Sequence, residues 1–530
     1  MKEPTLVADQ KLSRSTILVS IAIFASRILG YIRDLVIASV FGANYATDAF
    51  VLAFRIPNML RQLTAEGAMT KSFIPTLSKV DKELGRYEAM KFTGKIITLF
   101  SIFSIMLLIV LEIFTESLVL IVAPGFANNP EQLTLAINLT RITLPYLVLI
   151  SLASILSGYL NYFKIFFIPA LAPVMLNISI ITSALTLTSM FHYPIYALAV
   201  GVLIGGTAHL LFIFKPLISI GYRYIINFNL RGKYMKSLGW LMASGGLYAA
   251  VTQINALVTL IFASTLKAGS ITFLYYANSL SNIIVGIFGA SFGLVIFPYL
   301  SKESSSDNLD KFREIISYSI RVLLLIAIPA AVGLAVLSDE IVNLLFERGA
   351  FTIFDRKDTA IATVMLAVGL PATTMSHVLM SAFYSLNAGF AHLKTHAIAT
   401  VLHLFLCIIL LDSLAHAGLA LATSITMTVS ILFQLYLLRN RLKWINGRMI
   451  LNSTIKALVG ASVMGLTVYY LSNQFFNFEE GLITRFFLLI GIIIAGIFLY
   501  ATVTLILKTD EAIEAKDFLI KRLKASLGRQ

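Results

Sequence analysis

The chain has 530 residues, of which 58% are hydrophobic and 13% charged, and its formal net charge is +14. A soluble chain of this length would divide into domains with polar surfaces between them, and the composition excludes that class. Apolar runs of about 20 residues, the length that crosses a hydrocarbon core of about 30 Å, recur along nearly all of the sequence. The composition therefore predicts an all-α polytopic membrane protein.

The N-terminal segment is polar and precedes a long apolar run that itself carries charge, so we do not expect a signal peptide. The only cysteine, Cys407, lies inside an apolar run, which excludes disulfides and cysteine metal sites. No glycine-rich phosphate loop follows a strand. The sequence also offers no group that would catalyse a reaction, so we predict no enzyme activity, no cofactor and no bound metal.

Fourteen membrane spans are predicted in chain order. They cover residues 16–41, 46–70, 92–114, 134–160, 166–190, 194–219, 239–264, 270–299, 315–337, 359–386, 393–413, 416–438, 452–473 and 482–507. Lysine and arginine collect in alternate loops, as at 79–91 and 439–448, whereas the loop at 116–131 has neither. This is the positive-inside distribution, and it predicts that both termini are cytoplasmic. It also argues against nucleic acid as the partner of the positive charge.

The sequence resembles itself at an offset of six spans. Residues 73–79 (FIPTLSK) correspond to 296–302 (IFPYLSK), and Leu144-Pro145 corresponds to Leu370-Pro371. Six spans preserve orientation, so we predict two parallel six-helix lobes around a central cavity, followed by two extra helices. A repeat kept only for packing is the alternative. The predicted regions are a cytoplasmic N-terminus at 1–15, an N-lobe at 16–220, a linker at 221–238, a C-lobe at 239–440, two final spans at 450–508 that form a lipid-tail groove, and a cytoplasmic tail at 509–530.

The first two spans carry an unusual amount of charge. The polar residues are Arg27, Arg33 and Asp34 in the first span and Asp48, Arg55, Asn58, Arg61 and Glu66 in the second. An ionised residue at the bilayer centre costs about 2.5–3.5 kcal/mol even on the lenient insertion scale. These side chains are therefore expected to face an aqueous cavity or one another.

Arginine has a planar fork that binds phosphate through two hydrogen bonds. Arg27, Arg33 and Arg61 in one cavity would therefore suit a pyrophosphate. The acids of the two spans would hold the arginines in position or carry protons. The alternative is an internal salt-bridge network that fixes two helices, with Arg55 and Glu66 extended towards an interface.

These residues resemble the MurJ (also called MviN) family of lipid II flippases, which belongs to the multidrug/oligosaccharidyl-lipid/polysaccharide exporter superfamily. The resemblance covers essentially the whole chain. The stretches that carry it are 26–34 (SRILGYIRD), 41–43 (FGA), 46–50 (ATDAF), 53–61 (AFRIPNMLR), 65–68 (AEGA), 73–75 (FIP), 123–126 (APGF), 144–146 (LPY) and 172–177 (APVMLN). One departure lies in the eighth span, where Asn278-Ser279 replaces the Asp-Arg pair that family members commonly have.

The resemblance implies fourteen helices in two lobes, a cationic central cavity, and a groove beside the last two helices for a polyprenyl tail. It implies that the substrate is lipid II, the undecaprenyl-pyrophosphate-linked disaccharide-pentapeptide. Alternating access would move lipid II from the cytoplasmic to the periplasmic leaflet of the inner membrane, for peptidoglycan synthesis. The predicted substrate-binding residues are Arg27, Arg33, Arg61, Asp48, Asn58, Arg55, Glu66 and Asp34.

Other functions remain open at this point. One is export of another polyprenyl-linked glycan or of drugs, although drug exporters usually favour cations and would need acids where this chain has arginines. A second is a scaffold without transport activity, which the altered eighth span would favour. The predicted partners are lipid II and membrane lipids, and the hypothesised energy source is the membrane potential or a monovalent ion.

Overall fold

The structure is a computed structural model that describes residues 5–63, 69–228, 232–305 and 308–527. In these ranges the regular elements are helices. The α-helices are α1 (Thr5–Phe41), α2 (Tyr45–Arg61), α3 (Met69–Leu84), α4 (Arg86–Ile113), α5 (Thr115–Val122), α6 (Pro130–Thr143), α7 (Tyr146–Tyr162), α8 (Phe167–Leu171), α9 (Pro173–Thr186), α10 (Tyr196–Ser219), α11 (Lys233–Ala263), α12 (Ser270–Ile284), α13 (Ser291–Ser305), α14 (Leu309–Val336), α15 (Ser338–Phe346), α16 (Ile353–Ser385), α17 (Gly389–Leu442), α18 (Gly447–Phe475), α19 (Leu482–Ile506) and α20 (Asp510–Leu527). A π-helical segment, Val285–Ala290, joins α12 to α13.

The all-helical membrane fold is confirmed. Within the described ranges, ten helical segments are long and apolar enough to cross a membrane. One of them, α17, contains a chain reversal at Ala415, whose φ of 49° and ψ of −129° are not helical. A Cβ on Gly418 would lie 2.3 Å from the carbonyl oxygen of Leu410, so the two halves of α17 approach closely at this reversal. The predicted number of fourteen spans stays a prediction.

The chain divides into two compact units. The first comprises Met1–Thr272 with Arg348–Phe351, and the second comprises Phe273–Glu347 with Thr352–Gln530. The contacts therefore group α11 with the first unit. The predicted division into lobes at residues 221–238 stays a prediction.

Close helix packing organises the first unit, in which α10 lies against α9 and α7, α1 against α9, and α2 against α6. Glycine makes the contact of α10 with α9 possible. A Cβ on Gly201 would lie 2.9 Å from the side chain of Ser183, and a Cβ on Gly205 would lie 2.8 Å from Leu176. Small residues at such contacts allow membrane helices to approach and gain dispersion energy.

Polar contacts near both ends attach α11 to the rest of the first unit. At its start, Lys233 Nζ donates to Glu83 Oε2 at 3.0 Å, and the Tyr234 hydroxyl donates to the same oxygen. These two donors, Tyr234 foremost, hold the pKa of the Glu83 carboxyl below its ordinary value. Beyond its end, the Ser264 hydroxyl accepts from the backbone N–H of Gly125 at 3.1 Å.

The second unit is built around α14, which packs against α16 and α18. Fully buried Phe312, Ile316 and Leu323 of α14 lie in one apolar cluster that also includes residues of α16, α17, α18 and α19. Glycines allow α18 and α19 to pack closely, because Gly460 lies against Tyr500 and Gly496 lies against Val468.

Polar side chains fix both ends of the α18–α19 hairpin. At the turn between the two helices, Arg485 Nη1 donates to Asn343 Oδ1 at 2.7 Å, and the Ser472 hydroxyl donates to Glu340. At the opposite end, Arg321 of α14 pairs with Glu511 of α20, whose second oxygen accepts from the Ser453 hydroxyl at 2.7 Å. The hairpin is therefore held to α14, α15 and α20 by charged and polar contacts as well as by apolar ones.

The Arg321–Glu511 pair gives a stability prediction, because both side chains are nearly inaccessible, at 11% and 2% exposure. Glu511→Ala leaves the guanidinium of Arg321 buried without its carboxylate. We expect a loss of about 3–5 kcal/mol in the free energy of unfolding, as for other broken buried pairs. Denaturant titration of the purified protein in detergent measures it. Asp517→Ala on the exposed face of α20 is the matched control, and an equal loss in both variants would contradict the assignment.

Candidate functional site in the first two helices

Arg33 of α1 has a fixed position in the first unit. Its Nε and Nη2 donate to Asp34 Oδ1 at 3.1 and 2.8 Å, and its Nη1 donates to Asn177 Oδ1 at 3.1 Å. The guanidinium carbon also lies 5.8 Å from the centre of the Phe54 ring of α2. A carboxylate, an amide and an aromatic ring therefore hold one cation between α1, α2 and α9.

Asn177 of α9 links this cation to the backbone of α1. While its Oδ1 accepts from Arg33, its Nδ2 donates to the carbonyl oxygen of Ser26 at 3.2 Å. A Cβ on Gly30 would lie 3.8 Å from the same Nδ2, so the glycine lets α9 approach α1 at this point. Asn177 is therefore a positioning residue for Arg33.

Asp48 of α2 binds a helix N-terminus. Its side chain is 2% exposed. Oδ2 accepts from the N–H of Gly269 at 2.7 Å, and Oδ1 accepts from the N–H and the hydroxyl of Thr272 at 2.8 and 2.6 Å. Thr272 belongs to the first turn of α12 and Gly269 directly precedes this helix. At a helix start the N–H groups have no partner within the helix, and the helix dipole favours an anion. Asp48 thus caps a helix from which it is separated by more than 200 residues.

The α1–α2 corner places Asp48 in this position. Gly42 has a φ of +67°, which favours glycine, and the chain then turns into α2. Asn44 begins α2 by accepting from the N–H groups of Ala46 and Thr47 at 2.9 and 3.1 Å. The corner is therefore a well-capped connection, and Asp48 follows it by one turn.

The other predicted residues have different surroundings. Arg27 is exposed on α1, whereas Arg55 is half-buried on α2. Arg61, the last residue of α2, is half-buried and close enough to the buried His209 of α10 for an electrostatic interaction. Asn58 donates from Nδ2 to the carbonyl oxygen of Phe54 at 2.8 Å.

Glu66 lies outside the described residues, so its predicted role stays a prediction.

Near the end of α2, Gln253 of α11 donates to Gln62 Oε1. Arg27 and Asp34 are seven residues apart, which would place them on one helix face, but their burial differs. Asp34 is 3% exposed, whereas Arg27 is exposed. The structure gathers Arg33, Asp34 and Asn177 into one contact, and the joint cavity of the three arginines stays a prediction.

Sequence reasoning missed the polar groups that pair with the predicted residues. Asn177, Thr272 and His209 each lie in or beside an apolar run, and only their polarity in such a run marks them. In the eighth predicted span, Asn278 is exposed on α12 and donates from Nδ2 to the carbonyl oxygen of Leu274 at 2.9 Å.

The family model described as "Lipid II flippase MurJ" matches residues 37–493 of the chain. This match covers most of the sequence, including the capping corner and α2. The chain belongs to the lipid II flippase MurJ family. A "Probable lipid II flippase MurJ" of Buchnera aphidicola subsp. Acyrthosiphon pisum is 36% identical over 421 residues, which are 79% of this chain and 82% of that protein.

Two further comparisons agree with MurJ membership. A "Lipid II flippase MurJ" of Burkholderia cenocepacia is 30% identical over 81% of this chain and 84% of that protein. A solved structure, "Lipid II flippase MurJ, inward closed conformation", is 29% identical and covers 95% of this chain and all of its own, with a TM-score of 0.78. A multidrug resistance MATE family transporter of the MOP superfamily, in an inward-facing conformation, has a TM-score of 0.62 at 16% identity, covers 81% of this chain and 98% of its own, and shows the same fold.

The Asp48 cap gives a prediction that separates capping from simple burial. Asp48→Ala leaves two N–H groups and a hydroxyl without their acceptor, and we expect it to lower the free energy of unfolding by roughly 2–3 kcal/mol. Thr272→Val removes one of these donors and should cost about 1 kcal/mol. In the double variant, Thr272→Val should add almost nothing, because its acceptor is already absent.

Denaturant titration of the four proteins of this cycle measures the coupling. Thr265→Val is the matched control, since Thr265 is exposed and its hydroxyl donates to the nearby carbonyl oxygen of Phe262. Strictly additive losses from Asp48→Ala and Thr272→Val would contradict the cap.

Proposed function

We propose that this protein flips lipid II from the cytoplasmic to the periplasmic leaflet of the inner membrane by alternating access, and that peptidoglycan synthesis depends on it. The family match over residues 37–493 and the names of the relatives support this proposal. The observation that carries the site is the contact of Arg33 with Asp34 and Asn177, because it holds a phosphate-binding cation in place within a span.

Within this proposal, the arginines of the α1–α2 hairpin bind the pyrophosphate. Arg33 is oriented before substrate arrives, which reduces the conformational entropy lost on binding. Arg27, which precedes Arg33 by less than two turns and is exposed, supplies a second cation. Asp34 neutralises Arg33 while the site is empty, so the charge is not left uncompensated inside the membrane. Asp48 contributes through α12, whose first turn it caps, and not through a described contact with the arginines.

The same proposal assigns the polyprenyl tail to the last two spans. The α18–α19 hairpin has large apolar side chains open to its surroundings, and its ends are fixed by the polar contacts described above. The most open are Phe498, Leu466, Ile483 and Ile506, followed by Phe487 and Tyr470. A surface of this kind suits an isoprenoid chain that stays in the hydrocarbon while the headgroup crosses. The tail groove at 450–508 is therefore part of the proposal.

Complementation tests the function. In a strain depleted of its own lipid II flippase, the wild-type chain should restore growth. Arg27→Ala, Arg33→Ala and Arg61→Ala should abolish this growth at normal protein levels, because each removes a phosphate ligand. Arg33→Lys should restore it only in part, since an ammonium lacks the planar fork with which Arg33 contacts Asp34 and Asn177 at the same time.

Arg439→Ala, which removes an exposed arginine near the end of α17, is the matched control and should complement fully. Normal growth with all three alanine variants would overturn the proposed site. Failure of the wild-type chain, combined with rescue of a strain that lacks a different polyprenyl-linked glycan exporter, would favour that other substrate class.

We also propose that both termini are cytoplasmic, because lysine and arginine are concentrated in the loops on the same side of the predicted spans. A Cys407→Ser background allows single cysteines to report on this. An impermeant maleimide should label Asn128→Cys in intact cells and Lys82→Cys only after permeabilisation; both positions are exposed. Buried Cys407 of the unaltered chain is the control for background labelling. Labelling of Lys82→Cys in intact cells would contradict the proposed orientation and indicate the opposite one.

A further inference from the structure

The two halves of α17 meet along a polar seam inside the second unit. One side of the seam has His392, His396, His403 and Cys407, which share a helix face by their spacing. The other side has Thr426, Ser430 and Gln434, four residues apart. Because the chain reverses at Ala415, residues early in the first half of α17 face residues late in its second half. A row of buried polar groups between two membrane-spanning segments is expensive, and it commonly marks a functional path.

His392 and His396 form the titratable part of this seam. Their ring centres are 4.7 Å apart, with the planes at 82°. His392 is 1% exposed and lies beside the fully buried Gln434. Gln434 in turn donates from Nε2 to the Ser430 hydroxyl at 3.2 Å. Ser430 therefore holds the amide of Gln434 beside the imidazole of His392.

His403 has a different environment, which makes it a useful contrast. Its Nδ1 lies 3.4 Å from the Thr426 hydroxyl, and its Nε2 lies 3.5 Å from Cys407 Sγ. Both ring nitrogens thus have a polar neighbour while the ring is neutral. This arrangement joins two helices by hydrogen bonds, which is the usual role of a polar side chain in such a place.

A pair of adjacent imidazoles has a chemistry that one imidazole lacks. A proton can form an N–H bond to the unprotonated nitrogen of one ring, and the other ring then offers a neutral acceptor and a polarisable face for the charge. A second proton would bring two like charges within a few ångströms in a medium of low dielectric constant, where repulsion is strong. The pair therefore suits one proton and opposes two.

The neighbours of the pair also suit a transient cation. From α16, the Phe383 ring centre lies 5.8 Å and the Tyr384 ring centre 6.5 Å from that of His392. The Phe383 ring lies within the distance of about 6 Å at which an aromatic face stabilises a cation, whereas the Tyr384 ring lies just beyond it. The titratable group facing His392 from α16 is the Tyr384 phenol, which stays neutral near pH 7. On α17 itself, the charged neighbour is Lys394, which is exposed and lies over Phe390.

The pair is also within reach of one membrane surface. α17 begins at Gly389, so His392 lies within its first turn, and the preceding turn contains Asn387 with a φ of 52°. A helix rises 1.5 Å per residue, so a proton entering at this end travels about one turn to His392 and about two to His396. With the orientation proposed above, this end faces the cytoplasm.

We propose that His392 and His396 together form a binding site for a single proton, which exchanges with the side of the membrane where α17 begins and is bound and released once in each transport cycle. The coupling to transport rests on the proposed function. The proton site itself rests on the paired rings, the neighbouring amide of Gln434 and the contact with Phe383, and NMR can detect it in the absence of transport.

The first experiment detects the proton directly. The full chain, with ¹⁵N-labelled histidine, is placed in lipid nanodiscs and followed by NMR from pH 5 to pH 8.5. The sequence has seven histidines, so each signal is assignable by single substitution. We expect one protonation step shared by His392 and His396, and its loss in His392→Gln and in His396→Gln. Two rings that stay neutral over the whole range, or that titrate independently, would overturn the site.

The second experiment tests coupling in proteoliposomes that contain labelled lipid II, with the membrane potential held at zero and a pH gradient imposed. For one proton per cycle, the ratio of lipid II in the two leaflets should change by up to about tenfold per pH unit, since one unit is a tenfold change in proton activity. The double variant His392→Gln/His396→Gln should lose this response. His192→Gln, at an exposed position, should keep it.

The outcomes separate the two proposals. If the wild-type protein moves no lipid II under any condition, the proposed function fails, and the NMR result stands alone. If it moves lipid II with no response to the pH gradient, the coupling fails while the flippase function stands. Because these measurements use the wild-type protein, they test the flippase function and its coupling to the pH gradient even if the double variant does not fold.

Discussion

The constraint on which this structure depends is that a polar group buried away from water must find its partner within the protein. Three contacts meet it in different ways. Arg33 is compensated by the neighbouring carboxylate and by an amide from α9, Asp48 by the N–H groups of a distant helix start, and Arg321 by Glu511. Each of these contacts joins helices that are far apart in sequence, so satisfying the charge also determines which helices pack together.

The sequence predicted the fold class because hydropathy is a local property, summed over a run of residues. It also predicted that the charges of the first two spans would not face lipid. Asp34 and Asp48 are buried, but Arg27 is exposed, so for the group as a whole this stays a prediction. The partners of these charges were not predictable. Asn177 and Thr272 lie 144 and 224 residues from the groups they bind, and helical periodicity carries no information over such distances. The spacing of seven residues between Arg27 and Asp34 likewise did not predict their unequal burial.

The internal repeat also predicted the structure only in part. Pro75 lies inside α3 and Pro298 inside α13, so the two matching segments are both helical at the proline. Pro145 separates α6 from α7, whereas Pro371 lies inside the continuous α16. A repeat in sequence therefore predicts a shared plan but not the local path of the backbone. The sequence did not reveal the histidine pair for a related reason. Gln434 lies beside His392 only because the chain reverses at Ala415.

That reversal has a consequence for how such a chain varies in length. The two halves of α17 are joined at a single non-helical residue, and Gly418 already contacts the carbonyl of Leu410, so the connection has no slack. An inserted residue would rotate one segment by about 100° relative to the other, because a helix has 3.6 residues per turn. Every side chain along the seam would then lose its register. Length changes among homologues should accumulate in the linkers before α11 and α19 and be rare here.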